Sequence, residues 1–446
     1  MRIQCATYNG HLGEALSAVP SSEQDQVDDL ASWLSPTLLA AAERANEDDA
    51  VGRGGAPDVI AIGFQEMIPL HLALAGFTST ALDLHERRLK EAIESVYRPD
   101  PARSPSSWAS SSSASSSKTS DHGRGSYSLI ARQSLGGIAL LVYSNDESLT
   151  HDVRDVEIAT AGCGVLNRMG NKGAVGIRFK TEHDGAGWTF VTAHLAAHQN
   201  EVERRNRDWR EIAERLVFVD PKGRESSLYD SGHLFVFGDL NYRISLTTPR
   251  KLAPPVLAHH VSTLTSSTSD EASIESSLST LLAHDQLAQQ VALEKTLHHL
   301  SEARIAFAPT YKFVPGTRDT YKKFDKRVPG WCDRILYATA EGEQVEVEMY
   351  RSVMDFTASD HKPVTALFHV PHLSSSPSLA HPSPFSLSTT WRTSQRVGVV
   401  LDRVVGLVWC LVVLAGFGKD ARVGIVNLGM AALGAWVWKG GWRLAA

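Results

Sequence analysis

Short apolar runs of strand length dominate the hydrophobic pattern of the chain up to residue 370. They read RIQCATYN, DVIAIGFQE, GGIALLVY, GAVGIRFK, WTFVTAHL, HLFVFGDL, DRILYA, QVEVEMY and KPVTALFHV. Several alternate apolar and polar residues, which is typical of a half-buried strand, and others are almost wholly apolar, which favours burial on both faces. The pattern therefore predicts many β-strands, some of them in the interior.

Helical periodicity occurs between some of these runs. It predicts helices over residues 29–45, 82–97 and 201–219, the first of which Pro36 interrupts or kinks. The third helix carries apolar residues along one stripe and many arginines and glutamates on the opposite face. Many strands with fewer helices indicate an α/β fold built in layers rather than a strict alternation of strand and helix.

Serine-rich tracts interrupt this pattern near residues 104–120, 262–279 and 372–390. Each has few apolar residues to bury, so we expect each to be a loop or linker. The first two are predicted as surface insertions, near 101–125 and 262–279, in a domain that spans residues 1–370. The third is predicted to be a disordered linker over residues 371–395.

The tail, residues 396–446, is apolar and has two open interpretations. Its charge-free cores, residues 404–418 and 423–438, are about 15 and 16 residues long, short of the roughly 20 that span a bilayer. Trp436, Trp438 and Trp442 with Lys439 and Arg443 resemble interfacial anchors. The segments could pack back on the domain as two apolar helices. We favour a membrane anchor, as a hairpin or a single segment, because neither helix shows a polar face.

Composition narrows the class of protein. The 446 residues are 43% hydrophobic and 21% charged, which is ordinary for a globular protein with a sizeable core. A net charge of −6 argues against nucleic-acid binding. It is still compatible with a local basic pocket for an anionic ligand. The four cysteines form no CxxC pair and no zinc spacing, so we expect a reducing compartment. The first residues contain no apolar secretory signal.

Polar side chains with catalytic potential cluster where the predicted strands end. Asp239 and Asn241 follow HLFVFG and lie on one face, because side chains alternate along a strand. The other strand-end residues are Asn9, Gln65, Glu66, His194, Asp333, Asp360 and His361. Singly, each is typical of a turn, a cap or an ion pair. Jointly, they offer hard oxygen ligands for Mg²⁺ and the donors and bases that hydrolysis of a phosphoester requires.

The motifs FQE, MGNKGAV, AHLAAH, FGDLNYRI, FAPTYKF, RVPGWCDRIL and SDHKPV resemble, in order, the signature of inositol polyphosphate 5-phosphatases. That family belongs to the endonuclease/exonuclease/phosphatase superfamily, and the resemblance covers roughly Met1 to Val370. The hydrophobic tail is similar to that of small tail-anchored fungal members. The resemblance implies a four-layer α/β/β/α sandwich with its site at one end of two packed sheets.

The resemblance also implies roles for the residues that bind metal and water. Glu66 would bind Mg²⁺ with Asn9 beside it, and Asp360 would reach the metal or its waters. Asp239 would be the base that orients and deprotonates the attacking water. Asn241 would hold the nucleophile or a phosphoryl oxygen.

Two histidines would contact the scissile phosphate by the same resemblance. His361 would do so in a tautomer fixed by Asp333, and His194 would donate a second hydrogen bond. These residues complete the implied catalytic set.

Basic residues would recognise the other ring phosphates. Tyr311, Lys312, Lys326 and Arg327 would grip the 4-phosphate, and Lys172 would approach the 1-phosphate or the membrane side. Outside this family, the lysines and arginine of the 322–327 stretch would read as a solvated charged loop.

The expected function is Mg²⁺-dependent removal of the 5-phosphate of a phosphoinositide, foremost phosphatidylinositol 4,5-bisphosphate, at the cytosolic face of a membrane. Short apolar segments favour a thin bilayer such as the endoplasmic reticulum. Alternatives are a phosphodiesterase of the same fold similar to neutral sphingomyelinases, and an inactive membrane scaffold. The sequence indicates no protein partner. The scaffold is disfavoured because Glu66, Asp239, Asn241, Asp333 and His361 are all present.

Overall fold

The computed structural model describes residues 1–11, 34, 36, 56–97, 126–146, 149–182, 187–324, 327–370, 378–416 and 421–438. The predicted helix over 29–45, apart from two of its residues, and the serine-rich tract near 104–120 lie outside this described part. So does the serine-rich segment 371–377.

The first of two six-stranded sheets has the order β13–β14–β1–β2–β4–β3. Its strands are β1 (Arg2–Asn9), β2 (Val59–Gln65), β3 (Tyr127–Leu135), β4 (Ile138–Asn145), β13 (Glu346–Ser352) and β14 (Val364–His369). Only β1 and β2 pair in parallel, and the other neighbours are antiparallel. The parallel pair places the carboxyl ends of β1 and β2 at the same edge.

The second sheet has the order β11–β12–β10–β7–β6–β5. Its strands are β5 (Val153–Gly162), β6 (Gly173–Thr181), β7 (Gly187–His194), β10 (His233–Asp239), β11 (Ser301–Glu302) and β12 (Asp333–Thr339). Strands β7 and β10 pair in parallel. A small hairpin of β8 (Phe218–Val219) and β9 (Glu225–Ser226) stands apart.

Every strand that the apolar runs predict is present in these sheets. Strands β3 and β5 and the two-residue strand β11 were not predicted. Much of β5 is exposed and polar in its first half, and β3 is half-buried along most of its length. Such edge strands carry a weak apolar signal because one face contacts water.

Helices cover both outer faces of the paired sheets. The described helices are α1 (Leu70–Ala75), α2 (Thr78–Tyr97), α3 (Val202–Arg215), α4 (Pro254–Thr265), α5 (Glu271–Leu282), α6 (Gln286–Ala292), α7 (Trp391–Ala415) and α8 (Ala421–Trp438). Helix α2 packs on the first sheet through residues such as Leu89 and Ile93. Helix α3 packs on the second through Trp209 and Ile212. The predicted four-layer α/β/β/α sandwich is confirmed.

The space between the sheets is filled by large apolar side chains, among them Phe190, Phe235 and Phe368. Gly63 marks a point of close approach, because a Cβ there would lie 2.3 Å from Thr192 Oγ1 of the facing sheet. The two sheets are thus held at a fixed separation, which sets the distance between the polar groups at their ends.

The prediction that residues 262–279 form a loop is wrong. Helices α4 and α5 contain this stretch, and Asp270 caps α5 by accepting a hydrogen bond from the Ser273 backbone N–H at 2.9 Å. Leu257, Val261 and Leu278 of this helix pair are buried in one cluster. The serines lie between apolar residues at helical spacing. The serine-rich composition predicted a loop, whereas the spacing of the apolar residues is that of a helix.

The prediction of a disordered linker over 371–395 is wrong for the described residues 378–395. Leu379 is buried and its backbone N–H donates to the Ser231 carbonyl at 2.8 Å. The Ser388 N–H donates to the Glu214 carbonyl at 2.8 Å. Helix α7 then begins at Trp391. The chain reaches the tail along the surface of the domain, held by specific hydrogen bonds.

Helix α7 has two unlike faces. Ser394, Gly398, Asp402 and Gly406 are buried against the domain, whereas valines and leucines of the opposite face are exposed. Within the described part of the chain, α7 is the one helix long and apolar enough to cross a membrane, with a mean hydropathy of 2.3 and 17% of its apolar window buried. The alternative in which the tail packs on the domain therefore holds for one face of this helix.

Candidate active site

Strand register brings three of the predicted catalytic residues side by side. In the second sheet, Asp239 at the end of β10 pairs with His194 of β7 on one side and with Asp333 of β12 on the other. Gly238 makes this possible, because a Cβ there would lie 2.0 Å from the Ala193 carbonyl oxygen, and its φ is +143°. A carboxylate thus has a histidine and a second carboxylate as neighbours.

The first sheet supplies the facing residues. Asn9 ends β1 beside Gln65 of β2, and Glu66 follows at once. The Asn9 side-chain amide donates to Asp239 Oδ2 at 2.8 Å, across the gap between the sheets. The site therefore lies where the carboxyl ends of both parallel strand pairs meet.

Two of the predicted residues have left-handed backbones. The φ of Glu66 is +49° and that of Asn241 is +59°, a region that side-chain-bearing residues seldom adopt. Each follows a buried strand, so the chain turns sharply where the strand ends and presents the side chain to the site. Such strain concentrates at functional sites.

Asp239 is buried beside two histidine side chains. His194 Nε2 lies 3.3 Å and His361 Nε2 lies 4.0 Å from its Oδ2, and the Asn241 N–H donates to Oδ1 at 3.0 Å. Burial alone would raise the pKa of Asp239, but His361, His194 and Lys172 lower it well below its usual range. Asp239 is therefore an ionised carboxylate at neutral pH.

His361 and Asp333 form a buried ion pair. His361 Nδ1 lies 2.9 Å from Asp333 Oδ2, which also accepts the Thr310 hydroxyl at 2.6 Å. Burial opposes the charge on the imidazole, yet Asp333 and Asp239 raise the pKa of His361 to about 9. Burial raises the pKa of Asp333, and His361 opposes that effect. We assign the proton to His361, which therefore presents a charged Nε2–H to the site.

The Asp360 carboxylate lies close to two lysines as well as to His361. Lys312 Nζ lies 2.5 Å and Lys322 Nζ lies 4.0 Å from its Oδ2, and His11 Nδ1 lies 3.4 Å from Oδ1. Burial would raise the pKa of Asp360, but His361 and Lys312 lower it. Lys312, predicted to grip a substrate phosphate, is thus paired with a residue predicted to reach the metal.

Lys172 lies beside His194 and near Glu66. Its ammonium forms a short contact with His194 Nε2, and Glu66 Oε1 lies 3.8 Å from the same nitrogen. Burial lowers the pKa of Lys172, while Asp239 and Glu66 oppose the shift. These side chains line a cavity of about 110 Å³. The structure therefore places Lys172 beside His194, a contact that the sequence did not predict.

The donor set fits a hard divalent cation. Both Asp360 carboxylate oxygens and Asp333 Oδ1 are buried without a partner of hydrogen-bond geometry. One atom from each of Asp239, Asp333 and His361 lies within 4.8 Å of the others, but a protonated imidazole has no lone pair to donate. A cation would therefore be held by oxygens of Glu66, Asn9, Asp239 or Asp360 rather than by His361.

Several functional neighbours were not predicted. The Arg243 guanidinium bonds the Asn241 side-chain oxygen and lies 4.0 Å from the centre of the Tyr311 ring. The Tyr311 ring in turn contacts His361 in a tilted arrangement, with the ring centres 4.7 Å apart and 46° between the ring planes. Thr310, His11 and Lys322 were missed too. Arg243 belongs to the motif GDLNYRI and Thr310 to the motif FAPTYKF, so these motifs were the available signal for both. His11 and Lys322 lie outside the motifs, and only the fold brings them near Asp360.

Two of the predicted substrate residues, Lys326 and Arg327, stay predictions. Arg327 is exposed. Lys326 lies outside the described residues. The basic side chains that the described part of the chain places at the site are Lys172, Lys312, Lys322 and Arg243.

A family model confirms the class that the fold and site define. Residues 7–367 match the endonuclease/exonuclease/phosphatase family 2. The chain belongs to that family. The matched range contains every predicted site residue.

Relatives narrow the class. The chain is 34% identical over 317 residues to the type II inositol 1,4,5-trisphosphate 5-phosphatase of Mus musculus, a match that covers 71% of this chain and 27% of the relative. It is 38% identical over 235 residues to inositol-1,4,5-trisphosphate 5-phosphatase 1 of Schizosaccharomyces pombe, covering 52% of this chain and 19% of the relative. The chain thus spans about a quarter or less of these curated relatives.

A solved structure agrees with the fold. The inositol polyphosphate 5-phosphatase domain of spsynaptojanin, in complex with inositol (1,4)-bisphosphate and a calcium ion, superposes with a TM-score of 0.57 at 28% identity. The superposition covers 90% of this chain and 89% of that domain. A nitrophorin of Cimex shares the fold alone, with a TM-score of 0.50 at 17% identity over 83% of this chain and 98% of its own.

Proposed function

We propose that this protein is a Mg²⁺-dependent 5-phosphatase of phosphoinositides, and that phosphatidylinositol 4,5-bisphosphate is its foremost substrate. The relatives named above are 5-phosphatases, and the solved relative binds an inositol bisphosphate with a divalent cation. The observation that carries the proposal is the pairing of ionised Asp239 with the charged His361–Asp333 pair at one sheet edge. That arrangement sets a water-binding carboxylate against a donor for a phosphoryl oxygen.

Each residue of the site has its own role in the proposed reaction. Asp239, whose low pKa makes it a weak base, orients a water by accepting its hydrogen bond. His361 donates Nε2–H to a phosphoryl oxygen, and Asp333 keeps that imidazole charged. His194 and Lys172 lie on the other side of Asp239, where the Lys172 ammonium supplies further positive charge. A divalent cation bound by Glu66 and Asn9 would neutralise phosphoryl charge and acidify the water.

The lysines favour a substrate with more than one phosphate. Lys312 and Lys322 are near Asp360, at the side of the site where the His361 and Tyr311 rings are in contact. A second ring phosphate would compete with Asp360 for these ammonium groups, which bind phosphate as point charges. Sphingomyelin carries no extra phosphate, so this charge pattern disfavours the phosphodiesterase alternative.

Membrane attachment through the tail completes the proposal. The exposed valines and leucines of α7 form an apolar face that a lipid surface would bury. Attachment on the cytosolic side would hold the site near its lipid substrate and raise the effective substrate concentration. The endoplasmic reticulum is the membrane we favour, from the shortness of the apolar segments.

The test is phosphate release by the full chain in detergent micelles, with Mg²⁺ or with a chelator. The substrates are phosphatidylinositol 4,5-bisphosphate, inositol 1,4,5-trisphosphate and sphingomyelin. Asp239→Asn keeps the size of the side chain and should lower kcat by roughly a thousandfold or more, since it removes the charge that orients the water.

The matched control is Asp155→Asn, a half-exposed aspartate of β5 that pairs with Lys180 away from the site. It should retain the wild-type rate. Release of choline phosphate from sphingomyelin, or equal rates for Asp239→Asn and Asp155→Asn, would contradict the proposal. The ratio of lipid to soluble turnover identifies the substrate class.

A further inference from the structure

Helix α7 contacts both chain segments that form one wall of the catalytic cavity. One is the loop 163–172, which ends at Lys172, and the other is α1, which begins four residues after Glu66. A segment that serves only as a tether would have no reason to touch either. The contacts are made by the small and polar face of α7.

The central contact joins Asp402 to Gly170. The Gly170 backbone N–H donates to both carboxylate oxygens of Asp402, at 3.1 and 3.0 Å. Asp402 is buried on the small and polar face of the helix, next to Arg403. A buried carboxylate is costly unless it is hydrogen-bonded, so this contact is specific rather than incidental.

The loop that receives Asp402 is closed on itself. The Cys163 N–H donates to the Lys172 carbonyl at 2.9 Å, and the Gly164 N–H donates to the Met169 carbonyl at 3.0 Å. Gly170 lies two residues before Lys172. A shift of the loop at Gly170 would therefore move the Lys172 ammonium off His194.

Two glycines let α7 approach this wall. A Cβ at Gly398 would lie 2.4 Å from the Arg168 carbonyl oxygen, and a Cβ at Gly406 would lie 2.1 Å from the Ala75 nitrogen. Neither position has room for a side chain. Arg403 adds a hydrogen bond at 2.5 Å to the Ala75 carbonyl at the end of α1.

We propose that Asp402 is a positioning residue of the active site. Through Gly170 it holds the loop 163–172, and so keeps Lys172 in contact with His194 beside Asp239. Helix α7 then supports the active site structurally, in addition to any role in membrane attachment. The catalytic consequence rests on the proposed phosphatase function, whereas the contact itself does not.

Amide hydrogen exchange tests the contact directly. In the full chain in detergent micelles, Asp402→Ala should accelerate exchange of the Gly170 amide at least tenfold. Asp402→Asn keeps a side-chain oxygen that can accept the same hydrogen bond, so it should retain most of the protection. The matched control is Val400→Ala, on the same helix with a side chain that is 61% exposed.

Kinetics on inositol 1,4,5-trisphosphate test the consequence, because a soluble substrate removes any effect of membrane attachment. Asp402→Ala should lower kcat by about tenfold with KM changed less than twofold, as expected when catalytic groups are displaced slightly. Asp402→Asn should recover at least half of the lost rate. Gly398→Leu, which would force α7 away from Arg168, should reproduce the Asp402→Ala phenotype by an independent route.

Unchanged exchange at Gly170 in Asp402→Ala would overturn the contact. Faster exchange with wild-type kcat in both Asp402→Ala and Gly398→Leu would overturn the positioning role. If the wild-type chain releases no phosphate from any inositide, the proposed function fails and the positioning role fails with it. The exchange result still decides whether α7 is docked through Asp402, so the two failures are distinguishable.

Discussion

At the residue scale, the site depends on charges that are buried together. Asp239, Asp333 and Asp360 surround His361, and the three carboxylates compensate the cost of burying its positive charge. The same burial strengthens each interaction, because the local dielectric constant is low. A change of one charge should therefore alter the protonation of its neighbours more than the shape of the site.

Asp333→Asn tests this directly. The variant keeps an oxygen near His361 Nδ1 and removes the charge that contributes most to the raised pKa of His361. Activity that needs the imidazolium is present below that pKa and is lost as pH rises through it, near pH 9 in the wild type. In Asp333→Asn the loss should begin at a lower pH, and kcat should fall by roughly 10²- to 10⁴-fold.

The measurement is the pH profile of kcat between pH 6 and 10 on a soluble inositide, with the Asp155→Asn variant as the control. An alkaline limb at the same pH in Asp333→Asn and in the wild type would show that His361 does not act as a cation.

At the element scale, the helix pair α4–α5 replaces what the composition predicts as a loop. Leu278 is buried between these helices, while Ser279 next to it is exposed. Leu278→Ala should therefore cost about 2–5 kcal/mol in the free energy of unfolding, as for other large-to-small core changes. Ser279→Ala, the matched control, should change it by less than about 0.5 kcal/mol.

Equilibrium unfolding in urea, followed by tryptophan fluorescence, measures both values. A loop over 262–279 would instead give small and equal effects for the two substitutions. The helix pair also packs against Trp331, two residues before Asp333, so the stability of this element bears on the site.

The strands and their ends were predictable because alternation along a strand and polar residues at its tip are local signals. That Asp239 would stand between His194 and Asp333 was not, since register is decided by pairing between distant strands. The Asn9 bond to Asp239 depends further on the packing of two sheets. The contact of Lys172 with His194 was not predictable for a similar reason, because it depends on how a loop packs beside a distant strand.

At the scale of the whole molecule, the tail is bound to the domain along most of α7. Gln395 donates to Thr160 at 2.8 Å near the start of the helix, and Cys410 Sγ lies 3.7 Å from the His71 carbonyl near its end. Only Leu411 to Ala415 extend beyond these contacts. A span needs roughly 20 residues, so a docked α7 cannot also cross a bilayer.

We therefore predict that α7 lies along one face of the membrane, with its valine-rich side in the lipid. Nitroxide labels at Val400→Cys and Leu414→Cys, which are 61% and 72% exposed, should report similar depths in vesicles. A helix upright in the bilayer would separate them by about 21 Å in depth, from a rise of 1.5 Å per residue over 14 residues. The expected difference for the docked helix is less than half of that.

The depths are measured by relaxation of each label with oxygen and with a water-soluble nickel complex, in a Cys410→Ala background. A label at Lys222→Cys, on an exposed turn of the domain, marks the aqueous phase. A large depth difference in the wild type would mean that α7 leaves the domain at the membrane. The hydrogen bonds between the Gly170 N–H and Asp402 would then be broken. If only the Asp402→Ala variant shows that difference, the contact between Asp402 and Gly170 determines both the position of Lys172 in the site and the orientation of α7 on the membrane.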